Sequence, residues 1–101
     1  MNTVNAIAKV RFSATRPQRV QLHKDAALLA ELLCMEAGQE IKVPAGEWVY
    51  YVAMGAAKVA GRDGQAKQIG TGHFAAFSAR EAHTITNAGE GRLVCIAVSP
   101  T

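Results

Sequence analysis

Glycine cuts the second half of this chain into pieces too short for anything but strands and turns. Nine glycines fall at positions 38, 46, 55, 61, 64, 70, 72, 89 and 91, and none precedes them. Glycine opposes helix and reaches backbone conformations that other residues avoid, so this spacing reads as turn chemistry. Gly61-Arg62-Asp63-Gly64 reads as a hairpin turn joining residues 56–60 to residues 65–69. Gly70-Thr71-Gly72 closes that pair, and residues 73–78 follow as another strand. Asn87-Ala88-Gly89-Glu90-Gly91 is a second loop, leading to a β-branched strand over 92–98 stopped by Pro100. Residues 48–54, rich in Val and Tyr, fit a fully or mostly buried strand. Short strands at such intervals predict an all-β sandwich or barrel.

Length bounds the core. A chain of 101 residues forms one domain around one small hydrophobic core. Alanine supplies 19 of the apolar residues, so the stock of larger side chains is modest. Three histidines and two cysteines exclude a zinc finger, an iron–sulfur protein and a disulfide scaffold. The opening Met1-Asn2-Thr3-Val4-Asn5-Ala6 lacks a basic segment followed by an apolar run, and no apolar run approaches a membrane span. A cytoplasmic location is therefore expected, with Cys34 and Cys95 reduced and buried and with no membrane partner.

The net charge of +3 is unevenly spread. Residues 1–24 carry Lys9, Arg11, Arg16, Arg19 and Lys24 with no acid. Residues 25–101 carry six basic and eight acidic side chains, a balance of −2. A basic arm of this kind could meet nucleic acid, but aromatic residues are absent from it apart from Phe12 and no nucleic-acid motif follows. The reading adopted is a solvated edge strand or an arm that docks on a second subunit, with no nucleic acid. Residues 10–13 and 20–23 form two short alternating runs within it, split by Arg16-Pro17. The expected organisation is a basic arm with edge strands over 1–24, in the same domain as a barrel over 25–101. Residues 25–37 stay open at this point: an Asp25 N-cap followed by strong helix formers reads as helix, while a long strand with 28–35 buried between layers is the alternative.

At residues 38–55 and 72–87 the chain resembles the small single-domain cupins, the RmlC-like jelly-roll family. Their second motif is G-x5-P-x-G-x2-H-x3-N. Gly72, five residues, Ser78-Ala79-Arg80, two residues, His83, three residues and Asn87 reproduce its spacing, with Ser78 and Arg80 replacing its proline and glycine. Their first motif, G-x5-H-x-H-x3–4-E-x6-G, keeps only its frame, with Gly38 and Gly55 as the outer glycines. Counting from Gly38 places the two histidine positions on Pro44 and Gly46, and counting back from Gly55 places the glutamate on Trp48. Glu47 stands one residue away, and one residue turns a strand side chain to the opposite face. The resemblance implies an antiparallel double-stranded β-helix barrel, and it resolves residues 25–37 in favour of strand.

In a metal-bearing cupin the first-motif histidines and glutamate join the second-motif histidine on a divalent metal. Here His83 alone survives, and one imidazole does not hold a catalytic metal. The expectation is no cofactor, with a metal only if other side chains rebuild the site; His73, His23, Cys34 and Cys95 are the remaining donors. His83 then reads in two ways: as a hydrogen-bonded core residue, or as the polar anchor or acid/base of a small-molecule pocket. Trp48, Tyr50 and Val52 share a strand face that the family register turns into the barrel, and His73 shares parity with Ala75 and Phe77. His83, Trp48, Tyr50 and His73 are thus the candidate ligand-binding residues, or equally the filling of a barrel that has lost its metal. Asn87 is expected to fix a turn, and Arg80 and Glu81 either guard a pocket mouth or form a solvated pair. The expected function is a small-molecule-binding or sensing module with a pocket inside the barrel, the alternative an enzyme on a small polar substrate with His83 as acid/base or with a rebuilt divalent-metal site. Small cupins generally dimerise, so a homodimer extended through the N-terminal segment is the expected partner.

Overall fold

A computed structural model describes residues 1–101. It contains nine strands and a single 3₁₀ turn at Ile7–Lys9. The strands are β1 (Gln18–Lys24), β2 (Leu28–Met35), β3 (Glu40–Val43), β4 (Trp48–Met54), β5 (Ala56–Ala60), β6 (Ala66–Gly70), β7 (Phe74–Phe77), β8 (His83–Asn87) and β9 (Leu93–Pro100). Two antiparallel sheets face each other. One has the order β1-β2-β9-β4-β7 and the other the order β3-β8-β5-β6. No helix is long and apolar enough to cross a membrane.

The glycine-marked turns fall where their chemistry places them. Gly61 N–H donates to the Gln65 carbonyl and Gly64, at φ +81°, donates back to the Gly61 carbonyl, closing the β5–β6 hairpin. Gly55 has the tightest requirement. Its φ is +95°, and a Cβ there would stand 2.5 Å from the Arg92 carbonyl oxygen. Asn87 is buried; its Nδ2 donates to the Met35 and Gly91 carbonyls and its Oδ1 accepts from Gly89 N–H, as the turn role required. The last strand runs further than expected, through Ser99 to Pro100, which ends the ladder opposite Leu28.

Residues 28–35 are strand. Helix propensity over this stretch is worth a few tenths of a kcal/mol per residue, and two flanking ladders outweigh it. β2 pairs with β1 on one side and with β9 on the other. Its successive side chains serve opposite faces: Leu33 and Met35 enter the barrel, while Leu32 and Cys34 join Val94 on the outer face. Burial on both faces explains a run that is apolar at every position but Glu31. Asp25 still performs side-chain-to-backbone capping, but of a β-turn: its Oδ1 accepts from Ala27 and Leu28 N–H, each at 2.8 Å.

The N-terminal residues divide in function. β1 completes its own chain's sheet at the edge. Of the two alternating runs, only the one around Val20 enters a strand; Val10 and Phe12 instead pack with Ala6, Val20 and Leu22 over Leu32, Cys34 and Val94. Gln39 Nε2 donates to the Ser13 carbonyl at 2.7 Å, and the Arg92 guanidinium lies 4.4 Å from the Phe12 ring centre. The two cysteines are free and buried, Cys34 in this outer layer and Cys95 in the barrel core.

Candidate functional site at the barrel mouth

Three strand ends bring the candidate residues together. Trp48 opens β4, Phe77 ends β7 directly opposite it, and His83 opens β8 on the facing sheet. Strand alternation then turns Trp48, Tyr50 and Val52 inward, as expected. The four rings form one cluster of two stacked pairs. Trp48 and Tyr50 lie nearly parallel with centroids 5.7 Å apart, and Phe77 lies flat on His83 at 4.0 Å. Tyr50 meets both Phe77 and His83 edge-on.

His83 is 4% exposed and both its ring nitrogens are engaged. Tyr50 Oη donates to Nε2 at 2.6 Å, and Nδ1–H donates to the Glu81 carbonyl at 3.1 Å. A carbonyl can only accept, so Nδ1 carries the proton and Nε2 is the acceptor. Burial pulls the His83 pKa below the ordinary histidine value, with the Glu81 contact opposing it in part. Burial likewise pushes the Tyr50 phenol far above its usual value. The pair is therefore neutral and fixed in one hydrogen-bonding direction.

A second polar feature lies on the same inward face and was not legible as a site. Glu31, on β2, is 8% exposed and pairs with Arg19 of β1 at 3.5 Å. Burial raises the Glu31 pKa, and the nearby guanidinium acts against that rise. Arg19 also lies 5.7 Å from the Trp48 ring centre. In register Arg19 faces Leu33 and Gln21 faces Glu31, so the ion pair is diagonal across the ladder. Only knowledge of the β1–β2 register, which slips at a bulge between Gln21 and His23, could have exposed it.

His73 stands elsewhere. It is exposed just ahead of β7, with Nδ1 3.2 Å from the Gly70 carbonyl, and the aromatic stack forms without it. His23 bonds Asp25 at 2.9 Å in the β1–β2 turn. Glu81 Oε1 accepts from Ser78 N–H and so braces the β7–β8 bend, while Arg80 is exposed.

Open space beside Phe77 and His83 lies at the barrel mouth. Two depressions of about 470 Å³ each share Gly61 as a common wall. One is lined by Phe77, Val59, Asp63, Gln65, Lys67 and Glu81. The other is lined by His83, Lys42, Val43, Pro44, Ala82 and Thr84. The Phe77–His83 stack is thus the partition reached from both sides. Phe77, Lys67 and Lys42 were not singled out by sequence; the shared parity of Phe77 with Ala75 carried the one usable signal.

The residues present do not fit a divalent metal. No three His, Cys, Asp or Glu side chains come together anywhere in the chain. The frame positions for first-motif ligands hold Pro44, Gly46 and Trp48, and the free lone pair of His83 accepts the Tyr50 hydroxyl proton. Imidazole and carboxylate donors converging on one point are what such a metal needs, and the counted glutamate position is Trp48.

Two facing antiparallel sheets in this order form a double-stranded β-helix, the fold of solved cupin structures. Solved structures carry the same fold. TT1209 from Thermus thermophilus superposes with a TM-score of 0.89 at 19% identity, covering 99% of this chain and 98% of that one. An uncharacterized conserved protein with a double-stranded beta-helix domain from Klebsiella pneumoniae gives 0.86 at 22% identity, covering 99% and 90%. An RmlC-like cupin protein from Desulfovibrio desulfuricans gives 0.79 at 19% identity, covering 98% and 96%. No protein-family model and no curated protein matches the chain.

Proposed function

We propose that this cupin domain is a metal-independent binding module that holds a small polar molecule at the barrel mouth. The observation that carries the reading is the pair of adjoining depressions that meet at Gly61 and reach Phe77 and His83 from opposite sides. Their rims carry both signs of charge, Lys42 and Lys67 with Asp63 and Glu81. A ligand there would lay an apolar or planar part near the Phe77–His83 partition and engage the rim by hydrogen bonds. His83 orders that partition through Tyr50 and Glu81. Acid/base chemistry by His83 has weaker support, because each ring nitrogen already has a partner.

The test is an NMR titration with a panel of small zwitterionic and neutral metabolites in the presence of chelator. Binding should move the amide signals of Gly61, Gln65 and Thr84 together, and Lys67→Ala should weaken the strongest binder by about tenfold, the loss of a charge-assisted contact. Signals that stay still across the panel, or binding that vanishes with chelator, would contradict the proposal.

A further inference from the structure

Arg19 and Glu31 make a poor structural pair. Glu31 is 8% exposed and turned into the barrel, yet its carboxylate meets a single cation, Arg19 Nη1, at 3.5 Å. A charge-assisted hydrogen bond of full strength runs at about 2.7–2.9 Å. A carboxylate taken out of water needs close donors to offset the loss, and a neutral side chain at this position would avoid that cost. Residues that cost a fold stability without structural return gather where it binds or reacts.

The guanidinium is placed to be shared. Arg19 lies on the inward face of β1, opposite Leu33, and Gln21 on the same face lies opposite Glu31. Both are nonetheless exposed, so the inner face of β1 stands clear of the four-stranded sheet and opens one edge of the barrel to solvent. From that edge the Arg19 side chain, 42% exposed, reaches the Trp48 ring three strands away, its guanidinium carbon 5.7 Å from the ring centre. Trp48 holds the cation through its π face, which leaves the guanidinium N–H fork to oxygen acceptors.

We propose that this open edge is a second binding site, for a small monocarboxylate that docks through both oxygens on Arg19 and takes the guanidinium from Glu31. The planar fork of arginine matches the two oxygens of a carboxylate. Charge decides the class. Arg19 and Glu31 together are neutral, so a single added negative charge is tolerated where the two charges of a phosphate would stand against Glu31. The hydrocarbon part of the ligand has Leu29 to rest on, half-buried on the inward face of β2 two residues from Glu31. Neither depression at Gly61 is lined by Arg19, Glu31 or Trp48, so this site is separate from the one proposed above and the two stand or fall independently.

An NMR titration of the full chain with sodium propionate tests it, at mildly alkaline pH where phosphate is a dianion. Propionamide, inorganic phosphate and sodium chloride serve as controls. Propionate should move the Arg19 Nε–H and Trp48 indole N–H signals saturably, and the three controls should not. Arg19→Lys keeps a cation beside Glu31 but loses the fork, and should weaken binding about tenfold. Glu31→Gln removes the competing carboxylate and should tighten binding about fivefold, an outcome that a purely structural ion pair would not give. Should either variant misfold, the wild-type titration still decides. An equal response to propionamide, phosphate or chloride, a Glu31→Gln variant that binds no better, or shifts confined to Gly61, Gln65 and Thr84 would overturn the proposal.

Discussion

His83 and Tyr50 form a buried pair in which each satisfies the other, and that arrangement makes their substitutions strongly coupled. Tyr50→Phe leaves the His83 acceptor without a donor inside the barrel, which costs about 1–3 kcal/mol. His83→Leu leaves the Tyr50 hydroxyl unpaired at similar cost, and removing both should cost less than the sum of the two. Urea unfolding of the four proteins in a double-mutant cycle measures this, with a coupling of about 1–2 kcal/mol expected. The pH dependence has a definite sign. Burial lowers the folded His83 pKa, so the unfolded chain takes up that proton first. Its contribution to stability is complete above the ordinary histidine pKa and falls as pH drops below it. Glu31 acts oppositely: its raised pKa means that protonation favours the folded chain as pH falls into the carboxylate range. Thermal unfolding of Glu31→Gln should accordingly show no loss of Tm at neutral pH. At this scale the sequence was partly legible. The spacing of the second cupin motif located His83, and parity placed Tyr50 beside it in the barrel. The Arg19–Glu31 diagonal was not legible, because a bulge sets the register and no pattern along either strand alone reports it.

Among the elements, β2 is the instructive case. Asp25 followed by Ala and Leu has the composition of a helix start, yet the same Asp caps a β-turn and the run after it is strand. Periodicity could not separate the two, because a strand buried on both faces has no alternation to display. The N-terminal segment causes that double burial, and its role depends on contacts remote in sequence, Ser13 with Gln39 and Phe12 with Arg92. Phe12→Ala should loosen it, at a cost of about 2–3 kcal/mol, since Phe12 is only partly buried. Thiol labelling gives a sharper readout: Cys34 should become reactive in that variant while Cys95, its pKa pushed up to about 12 by burial, stays protected. The β4–β5 junction makes a separate prediction. Gly55→Ala combines a positive φ with a 2.5 Å approach to the Arg92 carbonyl and should destabilise the domain by about 2–4 kcal/mol, read from the urea midpoint.

For the whole molecule, glycine spacing and the motif frame were enough to reach the barrel, because turn chemistry is local and strand pairing follows from it. What fills the barrel was only half legible. Pro44, Gly46 and Trp48 stand at the ligand positions of the motif frame, whereas the Trp48–Tyr50–Phe77–His83 cluster required three strand ends to be brought together in space. The mouth depressions are further removed still, being shaped by the β5–β6 hairpin, the β7–β8 bend and the end of β3 at once. His83 is committed to Tyr50 and Glu81, which is why the proposed binding at the mouth calls for no metal. The most direct test is ¹⁵N NMR of the His83 ring at neutral pH, alone and with stoichiometric Zn²⁺ or Ni²⁺. The account predicts a neutral ring protonated at Nδ1, with an acceptor Nε2 whose shift the metal leaves unchanged. A metal-induced shift at Nε2, with release of the Tyr50 hydroxyl, would contradict it.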